Sequence, residues 1–550
     1  MQAPSRISSA RYVKVGAMIL VIVALSGGPT PSQSLSKQKG SPTEDSAILI
    51  AEGVNALERN DVAAAKSKFL KAIEVNPKNA TAHIYLGIID DRTGDLKAAE
   101  IHFAAAVRAD PRSPSAHNNH GASLLKLGRS REATAEFVTS LNLDKNQPNA
   151  LINLAQLRLN SSAQSDLSEA MDLFALAYKL QPDAEIARAL VVVSLRLGRR
   201  ESAASYYREY SARSQQEQTQ STPAVRAELG AALLENDLSS EAIVELTAAV
   251  TASPSNSDAI VTLAKAHLAA NDIPMAGRVL ESAVSRGVDP APVYALLATV
   301  YEKSGHLENA IPAMRLAIQR DPQSETYRFM YGMLLTNSLA PEAAVIRLKE
   351  ALEIFPRSSH LWLALGIAHF KAGRNDEAAK SLTHSIELDP KATPAFAYLG
   401  MTYVEIGQYE RALGAYRDAL AINSKLGIID FLIADVLLRQ SNPDYSDIEV
   451  HLVKAVRSEP KFAPARLALG KLYVRTNRLP QAATELESVI RLDEKVAEAY
   501  YQLGLVYTRL KRSDESKASM EKFKQLNETQ KEQALKDRKE IINRLANVLF

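Results

Sequence analysis

The chain has 550 residues, 46% of them apolar, with 65 basic and 63 acidic side chains and a net charge of +2. A charge so close to balance argues against a nucleic-acid partner, because a phosphate backbone is held by a clear basic excess. The chain contains no cysteine, which excludes disulfides, thiolate metal sites and a lipid-modified cysteine behind a leader.

Residues 1–26 read as a targeting segment. Arg6, Arg11 and Lys14 form a basic start, and residues 15–25 are an uncharged apolar run of eleven. Ala24, Leu25 and Ser26 then place small residues at the positions a signal peptidase reads. A bilayer span needs about 20 residues, so the run is too short to cross one. A cleaved signal peptide and export to a periplasm or the extracellular space are expected, with an uncleaved N-terminal anchor as the alternative. Residues 27–45 are rich in Ser, Pro, Gln and Lys and read as a flexible leader. No later segment is long and apolar enough to span a membrane.

From residue 46 a unit of 34 residues repeats. A small residue marks its register at Gly53, Gly87, Gly121 and Ala155, and again at Gly230, Ala264, Ala298, Gly332, Gly366, Gly400 and Ala434. Gly470 and Gly504 resume the series after two extra residues, and Val191 marks the unit between Ala155 and Gly230. The count is fourteen units over residues 46–530. Twelve residues behind the register lies an alanine, as in Ala65, Ala99, Ala378 and Ala412. Four further on lies a large residue, as in Phe69, Phe103, Leu382 and Tyr416. Residues four apart share a helix face, so small and large side chains interlock between two helices. Proline closes many units, among them Pro77, Pro111, Pro322 and Pro390, because it cannot continue the helical ladder.

The polar stretch at residues 211–222, with Gln215, Gln216, Gln218 and Gln220, interrupts the pattern. It reads either as a linker at 214–222 between units 1–5 (46–213) and units 6–14 (223–530), or as a surface insertion in an unbroken array. Tyr206, Tyr207 and Tyr210 suggest that the preceding helix runs long into it. Residues 531–550 read as an amphipathic helix capping the open end.

The pattern resembles the tetratricopeptide repeat. The nearest unit runs Trp362-x2-Leu365-Gly366-x2-His369, then Ala378-x3-Leu382, then Pro390. Phe396-x2-Leu399-Gly400-x2-Tyr403 and Tyr500-x2-Leu503-Gly504-x2-Tyr507 are two more. The resemblance implies an all-α, right-handed superhelical solenoid of antiparallel helix pairs. It also implies a ligand groove on the first helix of each pair, at positions three before, one after and four after the register residue. The carboxylate clamp of some members wants a cation three before, where this chain has Ile50, Ile84, Phe329 and Leu363, and Arg188 alone is basic. The asparagine ladder of the sugar-transferase repeats is reduced to Asn119 and Asn153.

The groove positions are most apolar in four consecutive units, through Phe329, Met333, Leu363, Ile367, Phe370, Met401 and Phe431. Methionine and phenylalanine suit an adaptable peptide-binding floor. Lys371 and Arg439, with Lys265, Lys303, Lys471, Arg475 and Arg509, would make a basic rim suited to an acidic amphipathic ligand. His117 and His120 are spaced to share a helix face and so to ligate a metal, but no further ligands are evident and packing is the competing reading. No phosphate loop, zinc-protease motif or nucleophile elbow is present. No cofactor is expected. The expected function is a non-enzymatic exported scaffold that binds protein or peptide segments. The alternatives are a structural subunit of an envelope, secretion or polysaccharide-export complex, and a cytoplasmic chaperone-type or regulatory adaptor.

Overall fold

The computed structural model describes residues 42–527, apart from 219, 220 and 339. The targeting segment, most of the leader and the C-terminal capping helix lie outside the described residues. Among those described there are 28 α-helices and no strand. They are numbered in chain order from α1 (Pro42–Glu58) to α28 (Ser513–Asn527). Odd-numbered helices open a repeat and are its A helices; even-numbered ones close it and are its B helices. Each A helix packs along its own B helix, and each repeat then packs on a neighbour. The architecture is an all-α solenoid of consecutive helix pairs.

Close approach within a pair depends on the register residue. A methyl group added at Gly87 would lie 2.6 Å from a ring carbon of Phe103, and one at Gly121 would lie 2.8 Å from a ring carbon of Phe137. The alanine and large-residue ladders are buried throughout, including Ala99, Ala378, Phe103, Leu382 and Tyr416. Helix A ends on a residue in the left-handed region seven positions after the register residue. It is Gly94, Gly128, Gly198, Gly305, Gly373 or Gly407 in six repeats, and Asn60, Asp237, Asn271, Asn477 or Lys511 in five. That conformation closes the A–B turn and favours residues that tolerate positive φ.

The chain divides into two compact bodies, residues 1–288 and 289–550. The boundary differs from the linker expected at 214–222. Helix α10 (Arg200–Glu217) takes up the first four residues of that expected linker. Its side chains Tyr207 and Tyr210 join one core with Leu229 and Leu233 of α11 (Pro223–Glu235) and Leu246 of α12 (Ser239–Ala252). The carboxylate of Glu217 accepts a hydrogen bond from the Ala184 amide at 3.2 Å, tying the extra turns back to the start of α9 (Ala184–Arg196). Gln215 and Gln216 are exposed residues of this lengthened helix, and the core beneath it runs on into α11 and α12.

Candidate protein-interaction surfaces

Four A helices of the C-terminal body carry the expected groove residues: α17 (Glu325–Asn337), α19 (Ser359–Lys371), α21 (Thr393–Glu405) and α23 (Gly427–Leu438). Helix α19 is flanked by both α17 and α21. That flanking decides which side chains stay accessible. Leu363, Ile367 and Phe370 are only 3%, 1% and 8% exposed and belong to the core shared with α21 to α27. Phe370 packs edge-on against Tyr398, ring centres 6.2 Å apart. These three are corrected from groove floor to core, because neighbouring A helices close over them.

Met333, Met401 and Phe431 pack against that same core and remain partly accessible. Phe329 is also partly accessible, beside the core of α17 to α19 and edge-on to His360 at 6.1 Å. Met333, Met401 and Phe431 thus each keep partial access at the edge of this extended core, Phe431 packing edge-on against Phe462 at 5.2 Å. Lys371 is partly exposed at the end of α19. Arg439 is half-exposed and ion-paired with Asp435 on its own helix at 2.9 Å, so part of its rim charge is met locally.

A second recurring arrangement, missed in the sequence, lies where A and B helices face each other. The residue four before the register meets the residue fifteen after it. His117 meets Glu136 at 2.6 Å, Arg226 meets Glu245 at 3.3 Å, and Arg466 meets Glu485 at 2.6 Å. Where two extra residues intervene, Asp430 meets His451 at 2.7 Å. The first member also holds the loop before its helix. His117, Trp362 and Arg466 reach the backbone oxygens of Pro111, Pro356 and Pro460 at 3.0, 2.9 and 2.8 Å. The signal was present as complementary residues 19 apart, a spacing no local helix rule would flag.

Environment tunes these pairs in opposite directions. Burial pushes Glu136 upward, but the close imidazoles of His120 and His117, the latter hydrogen-bonded to it, outweigh it and hold the carboxyl below its ordinary range. Glu245 is raised: burial dominates, opposed by Arg226 and by the hydroxyl of Tyr207, which donates to it at 3.0 Å. The histidine pair considered for metal is engaged with Glu136, His120 standing 3.1 Å from it. Among the described residues no group of three or more potential ligands could hold a metal ion, and no helix is long and apolar enough to cross a membrane.

A solenoid of helix pairs with small residues at a 34-residue register defines the class of helical-repeat proteins. The chain belongs to the tetratricopeptide repeat family: models described as tetratricopeptide repeat match residues 50–114, 233–300, 291–324, 338–401, 395–428 and 497–530, and one described as TPR repeat matches 470–511. Anaphase-promoting complex subunit 3 of Schizosaccharomyces pombe is 24% identical over 180 residues, covering 33% of this chain and 27% of that protein. The chain thus spans about a quarter of the length of this curated relative. Among solved structures, the APC/C hetero-tetramer Cut9-Hcn1 aligns with 88% of this chain and 95% of its own, at 16% identity and TM-score 0.36. The yeast Tom70 aligns with 86% and 98%, at 15% identity and TM-score 0.37.

Proposed function

We propose that the chain is a non-enzymatic, exported scaffold that holds a protein or peptide segment against the A helices of its C-terminal body. Membership of a repeat family that presents helix faces to protein partners supports the interaction role. The observation that carries the surface is the partial accessibility of Met333, Met401 and Phe431, each packed against one continuous core. Unbranched and aromatic side chains on a rigid base adapt to apolar ligand faces at low cost. Lys371 and Arg439 would set polarity at the edge, with Arg439 exchanging its local partner for a ligand carboxylate. Export rests on residues 1–26, and the mature N-terminus is expected after Ser26.

The test places a photo-crosslinking residue at Met401 or Phe431, with Ile346, 56% exposed on a B helix, as control. Crosslinks to one polypeptide from Met401 and Phe431 but not Ile346 support the reading. Equal labelling from all three positions sinks it. Charge reversal at Lys371 and Arg439 together should weaken the recovered complex.

A further inference from the structure

The facing positions that hold an acid with a base in four other repeats hold two cations in the ninth. Arg328 on α17 stands four before Gly332, and Arg347 on α18 (Pro341–Ile354) stands fifteen after it. Both line a cleft of about 560 Å³ between α18 and α16 (Leu307–Arg320), together with Arg315, Tyr331 and Glu350.

Arg466 shows what an arginine at this position does when its partner is acidic. Its Nε donates to the Pro460 oxygen at 2.8 Å and its Nη1 to Glu485 at 2.6 Å. Arg328 repeats the first half, its Nη2 donating to the Pro322 oxygen at 2.9 Å. The second half is missing. The Nε of Arg328 is buried and has no hydrogen-bond partner among the described residues. Arg347 turns instead to Glu350 on its own helix at 2.8 Å, both side chains about half exposed (52% and 49%). An exposed pair of that kind is weak and yields readily to a better acceptor. Arg315 adds a third guanidinium, leaving three cations against one anion.

We propose that this cleft binds a carboxylate side chain of an acidic polypeptide segment, seated where three other repeats supply their own glutamate. A carboxylate matches the guanidinium fork in shape and charge, and charge complementarity selects an acidic strand over a neutral one. Tyr331 and Leu316 offer apolar surface to the flanking residues. The cleft shares no lining residue with Met333, Met401 and Phe431, so each surface is tested by its own variants.

The experiment titrates the full chain into a fluorescein-labelled, glutamate-rich decapeptide and follows anisotropy at low salt. Arg347→Glu puts a carboxylate opposite Arg328, as in the Arg466–Glu485 pair. It should raise the thermal midpoint and weaken peptide binding by about tenfold or more. Arg315→Ala should weaken binding several-fold. Glu350→Gln, which frees Arg347, should tighten it. Ile101→Glu, at a side chain 60% exposed on α4 (Leu96–Ala109) and outside both surfaces, should leave it unchanged. Binding that survives Arg347→Glu in a folded protein overturns the proposal, as does competition by inorganic phosphate at equal charge concentration as strong as by unlabelled peptide. The latter would mark a general anion site.

Discussion

At Gly87 the absence of a side chain is a matter of space. A methyl there would lie 2.6 Å from the Phe103 ring, which is fully buried and has nowhere to move. At Gly504 the nearest atom would be the terminal methyl of Met520, at 2.9 Å. A thioether chain can swing aside, whereas a packed ring cannot. Gly87→Ala is therefore expected to cost about 1–3 kcal/mol, and Gly504→Ala measurably less, by urea denaturation of each variant. Equal costs would show that ring rigidity does not set the penalty. The same scale limits the sequence reading of the groove. Leu363, Ile367 and Phe370 have the residue types and spacing of contact residues, and nothing in their own identity says that neighbours cover them.

Between helices, the paired positions four before and fifteen after the register tie A to B through polar groups as well as through the core. Glu136 is the clearest case, receiving both His117 and His120. Its carboxyl is held below the ordinary range in the folded state. The fold therefore gains from its ionisation above the unfolded pKa and loses that gain as pH falls through the folded value. Glu136→Gln should cost about 1 kcal/mol near neutrality. The cost should shrink as pH falls below the ordinary carboxylate range and through the lowered native value, where the native carboxyl also becomes neutral. Thermal melts of both proteins across that range measure it. A cost that grows on acidification would reverse the sign argued here. Glu245 behaves oppositely: burial raises its pKa, so its ionisation burdens the fold as pH rises through that value, and Arg226 and Tyr207 offset the burden.

For the whole molecule, repeat arrays distribute stability over neighbour contacts rather than one central core. The two compact bodies, residues 1–288 and 289–550, each contain complete helix pairs. Expressed separately, each is expected to be helical by circular dichroism and to lose helix in a cooperative thermal transition. A fragment that stays unfolded would show that its stability depends on the other. The polar stretch at 211–222 misleads at this scale: exposed glutamines suggest a joint, yet Tyr207 and Tyr210 beneath them carry the core across it.

The repeat length, the helix pairing and the family were legible in the chain alone. A 34-residue spacing of small, alanine and large residues is a direct imprint of two helices packing face to face, and local periodicity preserves it. The candidate groove was legible as a set of positions but not as a surface. Accessibility at Leu363, Ile367 and Phe370 depends on α17 and α21 closing over α19, a contact between repeats that no single repeat encodes. The acid–base pairing of A with B helices, and its failure at Arg328 and Arg347, likewise emerged only when the fold set residues 19 apart side by side. Spacing along one helix follows from backbone geometry, whereas partnership between helices is decided by packing.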